Sequence, residues 1–157
     1  MMKSNLNTDF ELLVADHKST IYSVCYMFAE TRPEADDLFQ EVLINLWHGF
    51  KSFRGDSSLR SWVYRVSMNT CISYKRKKNI KTVPLDIAPG IFEADGEENH
   101  QTEQLRQRIS KLEPVDRAIV LLWLESLPYD EIASIIGISV NAVGVRLVRI
   151  REKLKSL

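Results

Sequence analysis

Apolar residues recur along this chain at intervals of three and four and never in strict alternation, the spacing that stacks side chains on one side of an α-helix. From Thr8 to Ala29 the stripe is Phe10, Leu13, Val14, Ile21, Val24, Cys25 and Phe28, with His17 on the same side. Thr8 and Glu11 stand in capping-box register, so a first helix is expected to start there. A second box, Thr31 with Glu34, has Pro33 in the first turn, where a missing amide hydrogen costs nothing. Ala35, Leu38, Phe39, Val42, Leu46 and Phe50 then face inward, and Gly49 offers a C-terminal stop. After an FRGDSS turn, Leu59, Trp62, Val63, Val66 and Thr70 mark a third amphipathic helix that runs into KRKK.

The periodicity fails from Asn79 to Thr102, where Pro84, Pro89, Gly90, Gly96 and a run of acids predict a flexible linker. It resumes with Leu105, Ile109 and Leu112 and restarts at Glu113 with Pro114 in the first turn, carrying Ile119, Leu122 and Trp123 inward. Pro128 to Ile136 then reads as a short helix with Ile132, Ala133 and Ile136 apolar. Gly137 suits a left-handed stop, Ser139 can cap the next helix, and Val143, Leu147, Ile150, Leu154 and Leu157 form that helix's buried stripe. A helix, a GIS turn and a second helix make a helix-turn-helix. The expected architecture is all-α: a helical domain over 1–78, an acidic linker over 79–102, and a helix-turn-helix domain over 103–157.

Composition adds little until charge is resolved by position. The chain is 45% hydrophobic and carries 21 basic and 21 acidic residues, which argues against a uniformly basic nucleic-acid binder. The balance hides segregation. Ser57 to Thr82 holds seven Lys or Arg and no acid, Asp86 to Glu103 six acids and no Lys or Arg, and Arg146 to Leu157 five bases and one acid. Local potential, not net charge, captures phosphate. About 25 linker residues at ~3.3 Å each reach ~80 Å when extended, against ~34 Å for one turn of DNA, so both halves can touch one duplex. No run reaches the length of a membrane span and MMKSNLNTDF lacks the order of a secretory signal, so a cytoplasmic protein is expected. Cys25 and Cys71 form no CxxC pair and are expected to be buried thiols, and His17 has no second ligand at helical spacing, so no metal is expected.

Three faces carry candidate chemistry. On the last helix, Asn141, Val145, Val148, Arg149 and Glu152 lie opposite the buried stripe; Asn and Arg can read adenine and guanine edges, and Val can meet a thymine methyl. Arg146, Arg151, Lys153 and Lys155 flank that face and suit phosphates. On the third helix Trp62, Arg65, Asn69, Ile72 and Arg76 share one side; they suit either an unpaired strand, through stacking and backbone neutralisation, or a core tryptophan beside a solvated basic face. On the second helix Asp37, Gln40, Glu41 and His48 surround Ile44, with Trp47 at the edge, apolar bulk that a solvent face normally omits. Either a protein contact or folding of Trp47 onto another part of the chain would explain it. Phosphate-loop, Rossmann, zinc-hydrolase and nucleophile-elbow patterns are absent, and neither an enzyme nor a cofactor is expected.

The order of DDLFQEVLINLW (Asp36 to Trp47), FRGDSSLRSWVYRVSMNT (Phe53 to Thr70), a basic tail, a linker and LPYDEIASIIGISVNAVGVRLVRIREKL (Leu127 to Leu154) resembles the extracytoplasmic-function sigma factors, small promoter-recognition subunits of bacterial RNA polymerase. The resemblance implies a region-two domain followed by a region-four domain. It implies that Asp37, Gln40, Glu41, Ile44 and Trp47 meet the clamp helices of the largest polymerase subunit, and that region four docks on a flap of the second-largest. It implies that the loop Phe53, Arg54, Gly55, Asp56, Ser57 and Ser58 captures a flipped base of the minus-ten element, with Trp62 and Asn69 nearby and Arg65, Lys75, Arg76 and Lys77 on the backbone. Ser139, Asn141, Val145, Arg146, Val148, Arg149, Arg151 and Lys153 would then meet the minus-thirty-five element, and an anti-sigma factor is a further implied partner. One departure stands out: family members commonly place a basic and then a small hydroxyl residue just before Arg146, where this chain has Gly144 and Val145. Upstream recognition is therefore expected to lean on Asn141, Val145, Val148 and Arg149.

Overall fold

The computed structural model describes residues 6–53, 55, 58–81 and 99–156, all of them in helices or short connections, with no strand among them. The helices are α1 (Leu6–Phe28), α2 (Arg32–Phe50), α3 (Leu59–Lys81), α4 (Asn99–Ser110), α5 (Pro114–Leu124), α6 (Tyr129–Ile136) and α7 (Val140–Ser156). The chain divides into two compact units, Met1–Cys71 and Ile72–Leu157, and the division falls inside α3. The expected linker is shorter at both ends, because α3 continues to Lys81 and α4 starts at Asn99; residues 82–98 lie outside the described residues. Losing an apolar stripe is not losing helical propensity, and the polar KKNIK turn simply continues the helix.

In the first unit, α1 and α2 pack through Leu13, Ile21, Val24, Cys25 and Phe28 from one helix and Ala35, Leu38, Val42 and Leu46 from the other, all buried. The helix α1 begins at Leu6, upstream of the expected cap, so Thr8 and Glu11 are exposed helical positions. The second box does form. The Thr31 hydroxyl accepts from the Glu34 amide at 3.1 Å, and the Glu34 carboxylate accepts from the Glu30 amide at 2.9 Å, one residue earlier than the usual reciprocal bond. His17 donates from Nδ1 to the Leu13 carbonyl one turn back at 2.9 Å.

Gly49 does not stop α2, which runs on to Phe50. Its role is close approach: a Cβ there would stand 3.0 Å from Cζ2 of Trp62 on α3. Trp62 in turn lies 5.0 Å from the ring of Phe53 and 6.5 Å from that of Phe50, centroid to centroid. With its ring held from several sides, Gly49→Val is expected to lower stability by about 1–3 kcal/mol through overpacking, measured by urea denaturation. A second tie joins the same helices: Asn45 donates to the Thr70 hydroxyl at 2.9 Å, and that hydroxyl donates to the Val66 carbonyl at 2.7 Å.

The buried side of α3 is rotated from the expected one. Val63, Tyr64, Ser67, Met68 and Cys71 are buried, whereas Leu59 is 37% exposed and Val66 and Thr70 are half-buried. Two small serines, Ser61 and Ser67, sit inside, and hydropathy assigns such residues to solvent although their size suits tight helix contact.

In the second unit, Ile109, Leu112, Ala118, Ile119, Leu122, Leu127, Ile132, Ala133, Ile135, Val143, Leu147 and Ile150 are buried. Arg117, itself buried, donates to the carbonyls of Ser110 and Leu112 and so satisfies acceptors left over at the end of α4. The end of α5 is a Schellman turn: the Leu127 amide reaches the Leu122 carbonyl, the Ser126 amide reaches that of Trp123, and Ser126 takes φ 65°. Gly137 takes φ 88° and ends α6, with its own amide and that of Ile138 both on the Ala133 carbonyl. The Ser139 hydroxyl accepts from the Ala142 amide at 3.1 Å and opens α7, as expected. The axes of α6 and α7 differ by 99°, within the range of a helix-turn-helix.

Candidate nucleic-acid and partner interfaces

On α2, the residues opposite the Leu38–Val42–Leu46 stripe are presented to solvent. Asp37, Gln40 and Glu41 are exposed, and Ile44 among them is 50% exposed. Asp36 borders this face and accepts from the Tyr22 hydroxyl at 3.3 Å. Partial burial, and then the Asp36 carboxylate, push the Tyr22 phenol above its ordinary pKa. Trp47 behaves differently from its neighbours. Its ring meets Phe10 of α1 edge-on at 5.1 Å, the Lys51 ammonium stands 4.8 Å from its centroid, and the residue is half-buried. Trp47 thus has partners within the chain, and Ile44 is the more outward apolar residue of this face.

The strip on α3 is brought together only in part. Asn69, Arg76 and Lys77 are exposed and Arg65 is half-buried. Lys75, expected on the nucleic-acid backbone, is only 5% exposed and has a partner within the protein, so its ammonium is not offered outward. Ile72 is buried as well, which splits the strip into an upper part around Asn69 and a lower part at Arg76 and Lys77. Trp62 is half-buried between Gly49 and Phe53, a support for the turn after α2 more than an open stacking platform. In that turn Gly55 takes φ 79°, a conformation side chains resist, and the Ser58 hydroxyl accepts from the Ser61 amide at 3.1 Å and caps α3. Arg54, Asp56 and Ser57 lie outside the described residues.

On α7 the face opposite Val143, Leu147 and Ile150 is open. Asn141, Arg149 and Glu152 are exposed, Val145 is 50% exposed and Val148 63%. Three residues expected to serve the nucleic acid have internal duties. Ser139 caps the helix; Arg146 donates to Asp116 of α5 at 2.9 Å; Arg151 stands 5.6 Å from the Trp123 ring. The Arg146–Asp116 pair is partly exposed, worth at most about 1 kcal/mol, and it seats α7 on α5. Lys153 and Lys155 remain exposed at the end of the helix. Residues whose sequence signal was too weak to single out also border this face: Tyr129, 41% exposed, whose ring would meet a Cβ at Gly144 at 3.7 Å, and Val140, 49% exposed. Both stand at the first residue of their helices, where a position in register with the apolar stripe is left partly uncovered.

Among the described residues no group of three or more His, Cys, Asp and Glu is placed to hold a metal, and Cys25 and Cys71 are free and buried. No single helix among them is long and apolar enough to cross a membrane.

Comparison with known proteins accounts for this arrangement. Residues 13–80 match the family Sigma-70 region 2, and residues 102–154 match Sigma-70, region 4. The chain is 31% identical over 141 residues to the RNA polymerase sigma factor YlaC of Bacillus subtilis, covering 83% of this chain and 82% of that protein. It is 30% identical over 161 residues to the ECF RNA polymerase sigma-E factor of Escherichia coli K12, covering 92% and 84%. Among solved structures, the sigma factor RpoE in complex with the anti-sigma factor NepR from Bartonella quintana shares the fold with a TM-score of 0.73 at 21% identity, covering 94% of this chain and 95% of that one. CnrH in complex with the cytosolic domain of CnrY does so with a TM-score of 0.69 at 22% identity, covering 96% and 87%. The chain therefore belongs to the extracytoplasmic-function group of the sigma-70 family, the RNA polymerase subunits that direct transcription initiation at specific promoters.

Proposed function

We propose that this sigma factor binds core polymerase through the outer face of α2, takes up the minus-ten element at the turn around Phe53 and the outer side of α3, and reads the minus-thirty-five element with α7. The observation that carries this is Ile44, a large aliphatic side chain 50% exposed on a face otherwise made of Asp37, Gln40 and Glu41. Such a face suits a basic, partly apolar helical partner and has no use in a chain that binds DNA alone. The domains divide the work as 1–78 for core and minus-ten binding and 103–157 for minus-thirty-five binding, with the acidic segment between α3 and α4 as tether.

Opening a duplex costs stacking and pairing energy. Capture of an extruded base by the turn that holds Phe53, Gly55 and Ser58, together with neutralisation of the freed strand by exposed cations such as Arg76 and Lys77, would offset that cost without nucleotide hydrolysis. Sigma factors are a non-enzymatic class, and binding energy is sufficient for this step. The complex works in the cytoplasm beside the polymerase. By analogy with RpoE in complex with the anti-sigma factor NepR, an anti-sigma protein is a fitting partner.

Purified chain, core polymerase and a genomic promoter library, read by run-off transcripts, test the assignment. Specific starts that require both components support it; a strong shift of duplex DNA by the chain alone, with no change in start sites on adding core, refutes it. Within that assay Arg149→Ala is expected to erase protection of the upstream element, a loss of about 1–3 kcal/mol if Arg149 bridges a guanine edge. Unchanged footprints would remove Arg149 from the reading face.

A further inference from the structure

We infer that α7 selects its site by two thymine methyl groups on neighbouring base steps, one received by Val145 and one by Val148. The inference rests on the assignment of α7 to the upstream element and adds what it looks for there. Val145 and Val148 are 50% and 63% exposed, on the face opposite the buried stripe. Valine gives a helix less than most residues do, and on a solvated face it buries nothing, so two of them there gain only from an apolar group brought by a partner. In the major groove the thymine C5 methyl is that group, the one apolar feature of the base edges.

The spacing fits. Three residues advance a helix by about 4.5 Å, close to one base step of ~3.4 Å, so the two side chains address adjacent pairs. Gly144, one turn before Val148, adds no side chain of its own, and the Tyr129 ring stands 3.7 Å from where its Cβ would be. Charge selects DNA over an apolar protein partner: Arg149 is exposed next to Val148, and Lys153 and Lys155 stand exposed beyond it. Glu152 limits the extent. It lies one turn past Val148 on the same face, where a carboxylate opposes phosphate, and so confines base reading to Asn141–Arg149, the N-terminal half of the helix.

The test replaces thymine by deoxyuridine, one position at a time, in the upstream element of a promoter used by the full chain with core polymerase. Uracil pairs as thymine does and lacks only the methyl. Run-off initiation at limiting holoenzyme is expected to fall about fourfold at two adjacent pairs and to stay unchanged elsewhere in the element. Val145→Ala should abolish the sensitivity at one of the two pairs and Val148→Ala at the other, a non-additivity that a general loss of affinity or folding would not produce. Equal use of thymine and deoxyuridine templates at every position, with core-dependent initiation intact, overturns the methyl contacts and leaves the parent assignment standing. So does a selected upstream element without adjacent A·T pairs. If deoxyuridine has no effect but the alanine variants lose core association or form fewer self-associated species, the valines are a protein contact and the inference is wrong. Failure of all core-dependent initiation removes the parent assignment and the inference together.

Discussion

Ile44→Glu, or the pair Asp37→Lys and Glu41→Lys, is expected to weaken association with core polymerase by two to three orders of magnitude while leaving thermal unfolding of the chain unchanged. The side chains concerned are exposed, and substitutions at such positions shift stability by only about 0.5 kcal/mol. In the proposed docked complex they would lie within the contact, where truncating an anchor costs about 2 kcal/mol or more and opposing like charges cost several. Fluorescence anisotropy of labelled chain against core, beside a circular-dichroism melt of each variant, separates the two quantities. Undiminished binding by both variants would dismiss α2 as the docking face. Trp47→Ala is a poorer probe of the same surface, because its ring packs on Phe10 and its loss acts on the fold as well.

Leu147→Ala is expected to destabilise the chain by about 2–5 kcal/mol and to remove upstream-element recognition without altering any residue of the reading face. Leu147 is 2% exposed and stands between Val143 and Ile150 on the buried side of α7. Removing it leaves a cavity whose neighbours relax only partly, and the cost is the lost transfer energy plus that cavity. Native domains hold only about 5–15 kcal/mol in reserve, so a loss of this size is a large share. Near the melting point α7 would no longer be held against α5, where the Arg146–Asp116 pair alone is too weak to seat it. A denaturation midpoint that does not move would show that the stripe is not the helix's anchor.

Much of this protein was legible before any coordinates. Thr31, Glu34 and Pro33 announce the start of α2, Gly137 and Ser139 announce the turn between α6 and α7, and the Leu38–Val42–Leu46 and Val143–Leu147–Ile150 stripes are buried as their spacing requires. These features are local: caps, stops and stripes depend on residues within one or two turns, and the physics that places them acts over the same range. The family motifs likewise sit on contiguous segments, so sequence alone carried the resemblance that the comparisons bear out.

What chain order could not settle is where each side chain spends its contacts. Lys75 reads as part of a basic track, yet it is buried, and Ser67 reads as polar surface, yet it is inside, because helix phase on α3 is set by what packs against it and not by hydropathy alone. Gly49 reads as a stop and serves as the seat of Trp62, a residue thirteen positions on. Arg146 reads as a phosphate ligand and binds Asp116, thirty residues away. Local sequence therefore determined which segments are helical, where they begin and turn, and which broad faces they offer. Only tertiary packing decided which cations and aromatics remain on those faces, since burial and pairing are made between segments that the sequence keeps far apart.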